Sequence, residues 1–317
     1  MKKMLLAFSA LLVLSVISLY ILIPANLVIS KSEFIRCNPD AAYRVLSNQN
    51  TWSKWWPGND SLLSDSSGNS NTLTYQKETY KPGEIFLNRV DINISHNKSS
   101  VNSSIITIPL NTDSVITQWQ CTIVSSHNPF KRIAQYWHAV NIKKNMDSIL
   151  KNMSLFLENP ENVYGIRIKE NSTKDTLLVA VKSLLHHSPS IDDIYNSVNA
   201  LKQYAQSHGA EITSQPMLNI SSLDSNQFQM MVALPINKKL SGNGNILFKQ
   251  MIPGNFLTTT VTGGPSAVAN AQKQLVNFMN DYHKTSMAIP FQVLITDRNT
   301  ETDTTEWVTK LFEPVMK

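Results

Sequence analysis

Two cysteines, Cys37 and Cys121, are the whole thiol inventory of 317 residues. Their spacing supports neither a zinc ligand set nor a redox CxxC pair. Charge is also scarce: Asp, Glu, Lys and Arg make up 16% of the chain, and the formal net charge is +5. The lysines are scattered and do not form the stripe that a phosphate backbone would require, so no nucleic-acid partner is expected. HExxH, GxSxG and a glycine-rich phosphate loop are all missing, which removes the local signatures of a metalloprotease, a nucleophile-elbow hydrolase and a P-loop enzyme. No catalytic residue, cofactor or metal ligand set is therefore expected. No lipobox-type cysteine follows the apolar start of the chain, which argues against a lipoprotein.

What the chain does have is 42% hydrophobic residues in a length that suits two domains of ordinary size. Twenty uncharged residues lie between Lys3 and Pro24, the length a helix needs to cross a bilayer at about 1.5 Å per residue. Residues 1–24 thus read as a transmembrane anchor spanning at residues 4–23. A cleaved signal peptide is the alternative, but "LIPANLVIS" offers no good small-x-small site. Lys2 and Lys3 predict a cytoplasmic N-terminus, which places the bulk of a single-pass protein outside the cytoplasm. In that setting Cys37 and Cys121 could pair, the alternative being two separately buried thiols.

Residues 25–159 form the first globular part. "NLVISKSEFIRC" alternates like a strand, and Asn38 with Pro39 then starts a short helix with Ala42, Val45 and Leu46 on one face. "NTWSKWWPG" places Trp52, Trp55 and Trp56 in a further helical turn that Pro57 and Gly58 stop. Strands separated by turn signals run from Thr72 to Ser125. They are followed by a long amphipathic helix with Ile133, Trp137, Val140, Met146, Ile149, Met153 and Phe156 at helical spacing.

This order of elements, together with "FIRCNPDAAYRVLSNQNTWSKWWP", resembles the START-like (SRPBCC) superfamily of polyketide cyclases, dehydrases and lipid-transport proteins. The resemblance implies a helix-grip fold in which a sheet curls around a long helix and leaves a gap. Trp52 and Trp56 read either as a plug of that gap or as walls of a ligand pocket, and Trp55 as a surface residue. Trp119, Tyr136 and Trp137 could complete an aromatic lining, with plain core as the alternative.

Residues 163–317 form the second part, beyond a break at Pro160. Here β-β-α-β-β patterns occur twice, with helices at "SPSIDDIYNSVNALKQYAQSHG" and "PSAVANAQKQLVNFMNDYHK". The shift between the copies is about eighty residues, longer than a solenoid repeat, so two fused copies are expected. "FQMMVALPI", "IPGNFLTTTVTGGP" and "TEWVTKLFEPV" resemble the GyrI-like effector-binding domain that also follows the DNA-binding region of multidrug-responsive activators. That resemblance implies a groove for cationic, aromatic ligands with an acidic residue at its base. Gln292 and Leu294 stand in the acid's place, so cation selectivity is in doubt. Glu306 and Glu313 on the last strand are the remaining carboxylates, with a solvated face as the alternative. Phe291 and Trp307 are candidate groove aromatics. His186 and His187 read as solvated imidazoles, and Asp192 and Asp193 as helix-start charges.

The whole reads as an α+β chain: an N-terminal transmembrane helix, a helix-grip domain and a duplicated GyrI-like domain. The function it suggests is a membrane-anchored protein that binds a hydrophobic or aromatic small molecule for sensing or sequestration outside the cytoplasm. The alternative is an envelope-facing hydrolase or cyclase acting on such a molecule, and a scaffold with filled cavities is a third reading. Direct control of transcription is not expected, because no helix-turn-helix precedes the GyrI-like part.

Overall fold

The computed structural model describes residues 2–58, 63–64, 71–86, 88–97, 99–173, 176–286 and 288–316. They divide into two compact units, Met1–Asn159 and Pro160–Lys317.

The first unit begins with α1 (Lys2–Leu22) and β1 (Asn26–Ile35), followed by α2 (Pro39–Ser47). Asn38 caps α2 by accepting hydrogen bonds from the backbone N–H groups of Asp40 and Ala41, at 2.8 and 3.2 Å. Next come a 3₁₀ turn (Gln49–Lys54), β2 (Leu63–Ser64), β3 (Asn71–Tyr75), β4 (Glu78–Ile85), β5 (Arg89–His96), β6 (Ser99–Asn111) and β7 (Ser114–Val124), and then the long helix α3 (Pro129–Leu157). The seven strands form one antiparallel sheet in the order β1-β7-β6-β5-β4-β3-β2. Residues of period two, among them Val90, Ile92 and Ile94 on β5 and Trp119, Cys121 and Ile123 on β7, are buried. From α3 the buried residues are Ile142, Met146, Ile149, Leu150 and Met153.

The expected transmembrane anchor is corrected here, and with it the single-pass, extracytoplasmic placement. Among the described residues no helix is long and apolar enough to cross a membrane. The last turn of α1 is committed to protein contacts: the Tyr20 hydroxyl donates to the His127 carbonyl, and Arg132 donates to the Ile23 carbonyl while its guanidinium stacks 4.6 Å from the Tyr20 ring. The stretch left between Lys3 and Tyr20 is about 24 Å long, short of the roughly 30 Å of a hydrocarbon core.

Trp52, Trp55 and Trp56 answer to packing. All three are buried, which corrects the surface reading of Trp55. Trp52 and Trp56 stack at 5.8 Å with planes 4° apart, and Trp56 meets Tyr80 at 5.1 Å and Trp119 at 6.3 Å. Three indole N–H groups find acceptors: Leu46 O for Trp52, Thr74 O for Trp56 and Ser103 Oγ for Trp119. Burial also pushes the Tyr80 hydroxyl above the usual phenol range. The rings fill the space between α2, β3, β4 and β7.

Both cysteines are free, which corrects the paired alternative. Cys121 lies opposite Ile29 in the β1–β7 ladder, whereas Cys37 follows the far end of β1. The separation is on the order of 26 Å at 3.3 Å per residue, against the roughly 7 Å limit between bridged Cα atoms. Burial, and to a lesser extent the Glu158 carboxylate, pushes the Cys37 thiol up to about 12, and burial pushes that of Cys121 up to about 11.

The second unit contains α4 (Pro160–Tyr164), β8 (Lys169–Ser172), β9 (Thr176–Leu185), α5 (Ile191–Ser207), β10 (Met217–Ser222), β11 (Phe228–Ile236), β12 (Ile246–Met251), β13 (Asn255–Thr262), α6 (Pro265–Asp281), β14 (Phe291–Leu294), a 3₁₀ turn (Thr304–Glu306) and β15 (Val308–Val315). Eight strands form one sheet in the order β12-β9-β11-β10-β14-β15-β13-β8. The copies β9-α5-β10-β11 and β13-α6-β14-β15 thus lie as mirror-ordered triplets meeting at β10 and β14. The strand that opens each copy pairs with the other copy: β8 with β13, and β12 with β9. Neither half keeps its own leading strand, so each completes the other's sheet.

Helix starts in this unit are locally determined. Ser190 and Asp193 form a reciprocal capping box on α5, and the Ser190 hydrogen bonds hold the Asp193 carboxyl below the usual carboxylate range. Before α6, Gly263 has φ +133°, and a Cβ there would lie 2.9 Å from the Ala267 Cβ, so the first glycine of "GGP" is required on both counts.

The packing yields a contrast between two tryptophans. Trp52→Ala removes a fully buried ring and is expected to cost about 3–5 kcal/mol, whereas Trp137→Ala, at a side chain 61% exposed, is expected to stay within about 0.5 kcal/mol. Urea denaturation of both variants measures the difference.

Candidate functional site

Strands β10 and β14 pair through only two residue couples, Met217 with Val293 and Leu218 with Gln292. Beyond them the ladder is replaced by a side chain: the Asn219 amide donates to Pro290 O at 2.8 Å. A crevice of about 20 Å³ opens where the two copies part, lined by Leu218 and Asn219 of β10, Gln272 and Leu275 of α6, Phe291 and Gln292 of β14, and Phe312 and Glu313 of β15.

Glu313 is the unusual member. It alternates with Leu311 and Val315, both members of the core cluster beneath α6. Only 7% of Glu313 is exposed. Burial therefore pushes its pKa above the usual carboxylate value. The Asn219 side-chain amide oxygen at the same junction is buried without a partner. On the sheet face opposite α6, Phe291 stacks on Phe312 at 4.7 Å with planes 9° apart, and Phe256 meets Phe291 edge-on at 5.6 Å.

The sequence-derived candidates separate in space. Phe291 and Gln292 do line this crevice. Trp307 is buried elsewhere: its indole N–H donates to Glu301 O at 2.9 Å, and the Arg298 guanidinium stacks 4.7 Å from its ring. Glu306 ends an exposed 3₁₀ turn, so of the two carboxylates on offer Glu313 is the buried one.

In the first unit Trp52, Trp56 and Trp119 lie in the packed aromatic cluster and are absent from the walls of its two large depressions, of about 1010 and 860 Å³. Tyr136 and Trp137 sit on the outer side of α3, 40% and 61% exposed. Their expected role as an interior lining is corrected, because the buried face of α3 is carried by Ile142, Met146 and Ile149 instead. Trp137 does line the 860 Å³ groove, with Tyr75, Glu78, His96, His138, Asn141 and Asn145.

Within that groove lies a cluster that sequence reading missed. Glu78 Oε1 is 3.1 Å from His138 Nε2 and 3.3 Å from His96 Nδ1. The β3–β4 turn, with Gln76 at φ +56°, aims Glu78, and the β4–β5 register brings it opposite His96. His138 arrives from α3. The three residues share no local motif, so only tertiary structure assembles them.

No family model matches the chain, and no curated protein matches it. Among solved structures, the C-terminal domain of EcmrR is 15% identical, with a TM-score of 0.40 over 48% of this chain and 98% of that one. EcmrR in a complex with DNA gives 16% identity and a TM-score of 0.44 over 61% of this chain and 73% of that one. A hydrolase from Listeria innocua gives 10% identity and a TM-score of 0.39 over 47% of this chain and 92% of that one.

The raised pKa of Glu313 has a signed consequence. The folded state holds this proton above the ordinary unfolded value of about 4.3, so the wild type loses stability as pH rises from there through the raised value, and then levels off. Glu313→Gln keeps the shape without the charge. It is expected to match the wild type near about pH 4 and to be the more stable protein at neutral pH. Thermal unfolding of both proteins across that range measures the effect.

Proposed function

We infer that this chain is a small-molecule-binding protein whose ligand site is the crevice between the two copies of the second unit. The observation that carries this reading is a crevice at the short β10–β14 junction, where the walls include Leu218, Leu275, Gln292 and the largely buried Glu313, with the unpartnered side-chain oxygen of Asn219 at the same junction. A buried acid is costly to keep, and such groups concentrate at functional sites. The resemblance of "IPGNFLTTTVTGGP" and "TEWVTKLFEPV" to GyrI-like effector-binding domains supports the same reading.

The ligand class follows from the walls. Apolar walls accept a hydrophobic body, and the largely buried Glu313 carboxyl rewards a positive charge. The crevice as described holds about 20 Å³, roughly room for one water molecule, so binding requires the β10–β14 junction to part. Since that junction is also where the duplicated halves meet, occupancy would be felt by both. Sensing or sequestration of a lipophilic aromatic cation is the activity this arrangement suits.

Tetraphenylphosphonium provides the probe, read by isothermal titration against the full chain. Saturable 1:1 binding that strengthens as pH rises through the Glu313 titration, and that weakens about tenfold or more in Glu313→Gln, is the expected result, a tenfold change corresponding to about 1.4 kcal/mol. Absence of saturable binding, or equal affinity in the variant, overturns this assignment of the site.

A further inference from the structure

The Glu78, His96 and His138 cluster lies in the first unit and is independent of the Glu313 crevice. Its donor atoms are one carboxylate oxygen and two imidazole nitrogens, all within 4.8 Å of one another. Three ligands bound at about 2.0–2.1 Å with tetrahedral angles lie about 3.3 Å apart. The two distances from Glu78 Oε1, 3.1 Å to His138 Nε2 and 3.3 Å to His96 Nδ1, are close to that spacing. An ordinary hydrogen-bonded cluster accounts for these contacts less completely, because Glu78 is 4% exposed and its second oxygen, Oε2, is buried without any partner.

We propose that Glu78, His96 and His138 bind a divalent transition-metal ion of the zinc class, with the remaining coordination position open to the groove beside α3. Two imidazoles and one carboxylate are the ligand types that suit such an ion, and a three-protein-ligand set leaves a place for water or an oxygen ligand. Access is present: the His96 and His138 side chains are 30% and 20% exposed, whereas Glu78 anchors the site from beneath. The groove of about 860 Å³ in front of them carries Asn141, Lys144, Asn145 and the exposed Trp137. A small anionic oxygen ligand at the open position would meet both the metal and this polar wall.

The metal-free arrangement is compatible with entry. His96 Nδ1 stands 3.0 Å from Lys77 O as well as facing Glu78, so a proton on Nδ1 has two acceptors. His138 Nε2 lies 3.1 Å from Glu78 Oε1, which accepts from it in the tautomer protonated there. When an ion enters, each neutral ring presents the lone pair of the same nitrogen and carries its proton on the far one, so the ion takes the place of the two hydrogen bonds. Glu78 then serves both as ligand and as the charge that offsets the cation.

The test uses the full chain and the metal alone. Zinc(II) titration by calorimetry, with cobalt(II) as a spectroscopic substitute, is expected to show one site and visible bands of low-coordinate cobalt. His96→Asn, His138→Gln and Glu78→Gln are each expected to weaken binding about tenfold or more, and zinc should raise the melting temperature of the wild type but not of these three variants. The partly exposed His96 provides the variant least exposed to a folding defect. His186→Gln/His187→Gln, at exposed imidazoles of the other unit, should bind as the wild type does. No binding by the wild type, or binding that survives His96→Asn and His138→Gln while the His186/His187 variant loses it, overturns the proposal.

Discussion

A carboxylate taken out of water must find positive or hydrogen-bonding partners, or else give up its charge. This constraint organises both candidate sites. Glu78 and Glu313 are almost equally buried, yet they answer it in opposite ways. Glu78 faces two imidazoles that converge from β5 and α3, whereas Glu313 lies among leucine and valine side chains beneath α6 and is driven towards its neutral form. The first arrangement prepares a place for a cation held by several ligands. The second prepares an apolar crevice whose acid becomes charged once a positive partner arrives.

The surrounding folds make these burials sustainable. In the first unit a continuous aromatic cluster of Trp52, Trp55, Trp56, Tyr80 and Trp119 fills the interior. Open volume lies instead in the groove between the β3–β4 turn and α3, where the histidines lie. In the second unit the reciprocal exchange of β8 and β12 ties the copies together at both ends of the sheet, leaving the short β10–β14 contact as the place where they can separate. Strong pairing at the edges and weak pairing at the centre put the crevice where a ligand can act on both halves.

Much of the local organisation was legible in the residues. Asn38–Pro39 marked the start of α2, the alternation from Thr72 to Ser125 marked the antiparallel strands, and the repeated β-β-α-β-β pattern marked two copies. Each depends on short-range chemistry: caps, alternation and turn residues. The reading failed where the same local signal fits different surroundings. The apolar run after Lys3 looked long enough for a bilayer, but its last turn is engaged by His127 and Arg132, which no nearby residue announces. Trp137 matched a helical apolar stripe but points outward, because the helix is rotated to bury Ile142 and Met146.

The sequence by itself determined where strands and helices begin and that the second half is a duplication. Those properties follow from periodicity and from residues close together in the chain. Tertiary structure alone decided that the tryptophans of "NTWSKWWPG" pack against Tyr80 and Trp119, that Glu313 is largely buried while Glu306 is exposed, and that Glu78 meets His96 and His138. Burial and side-chain convergence are set by which surfaces come together across long stretches of chain, and no local pattern encodes that.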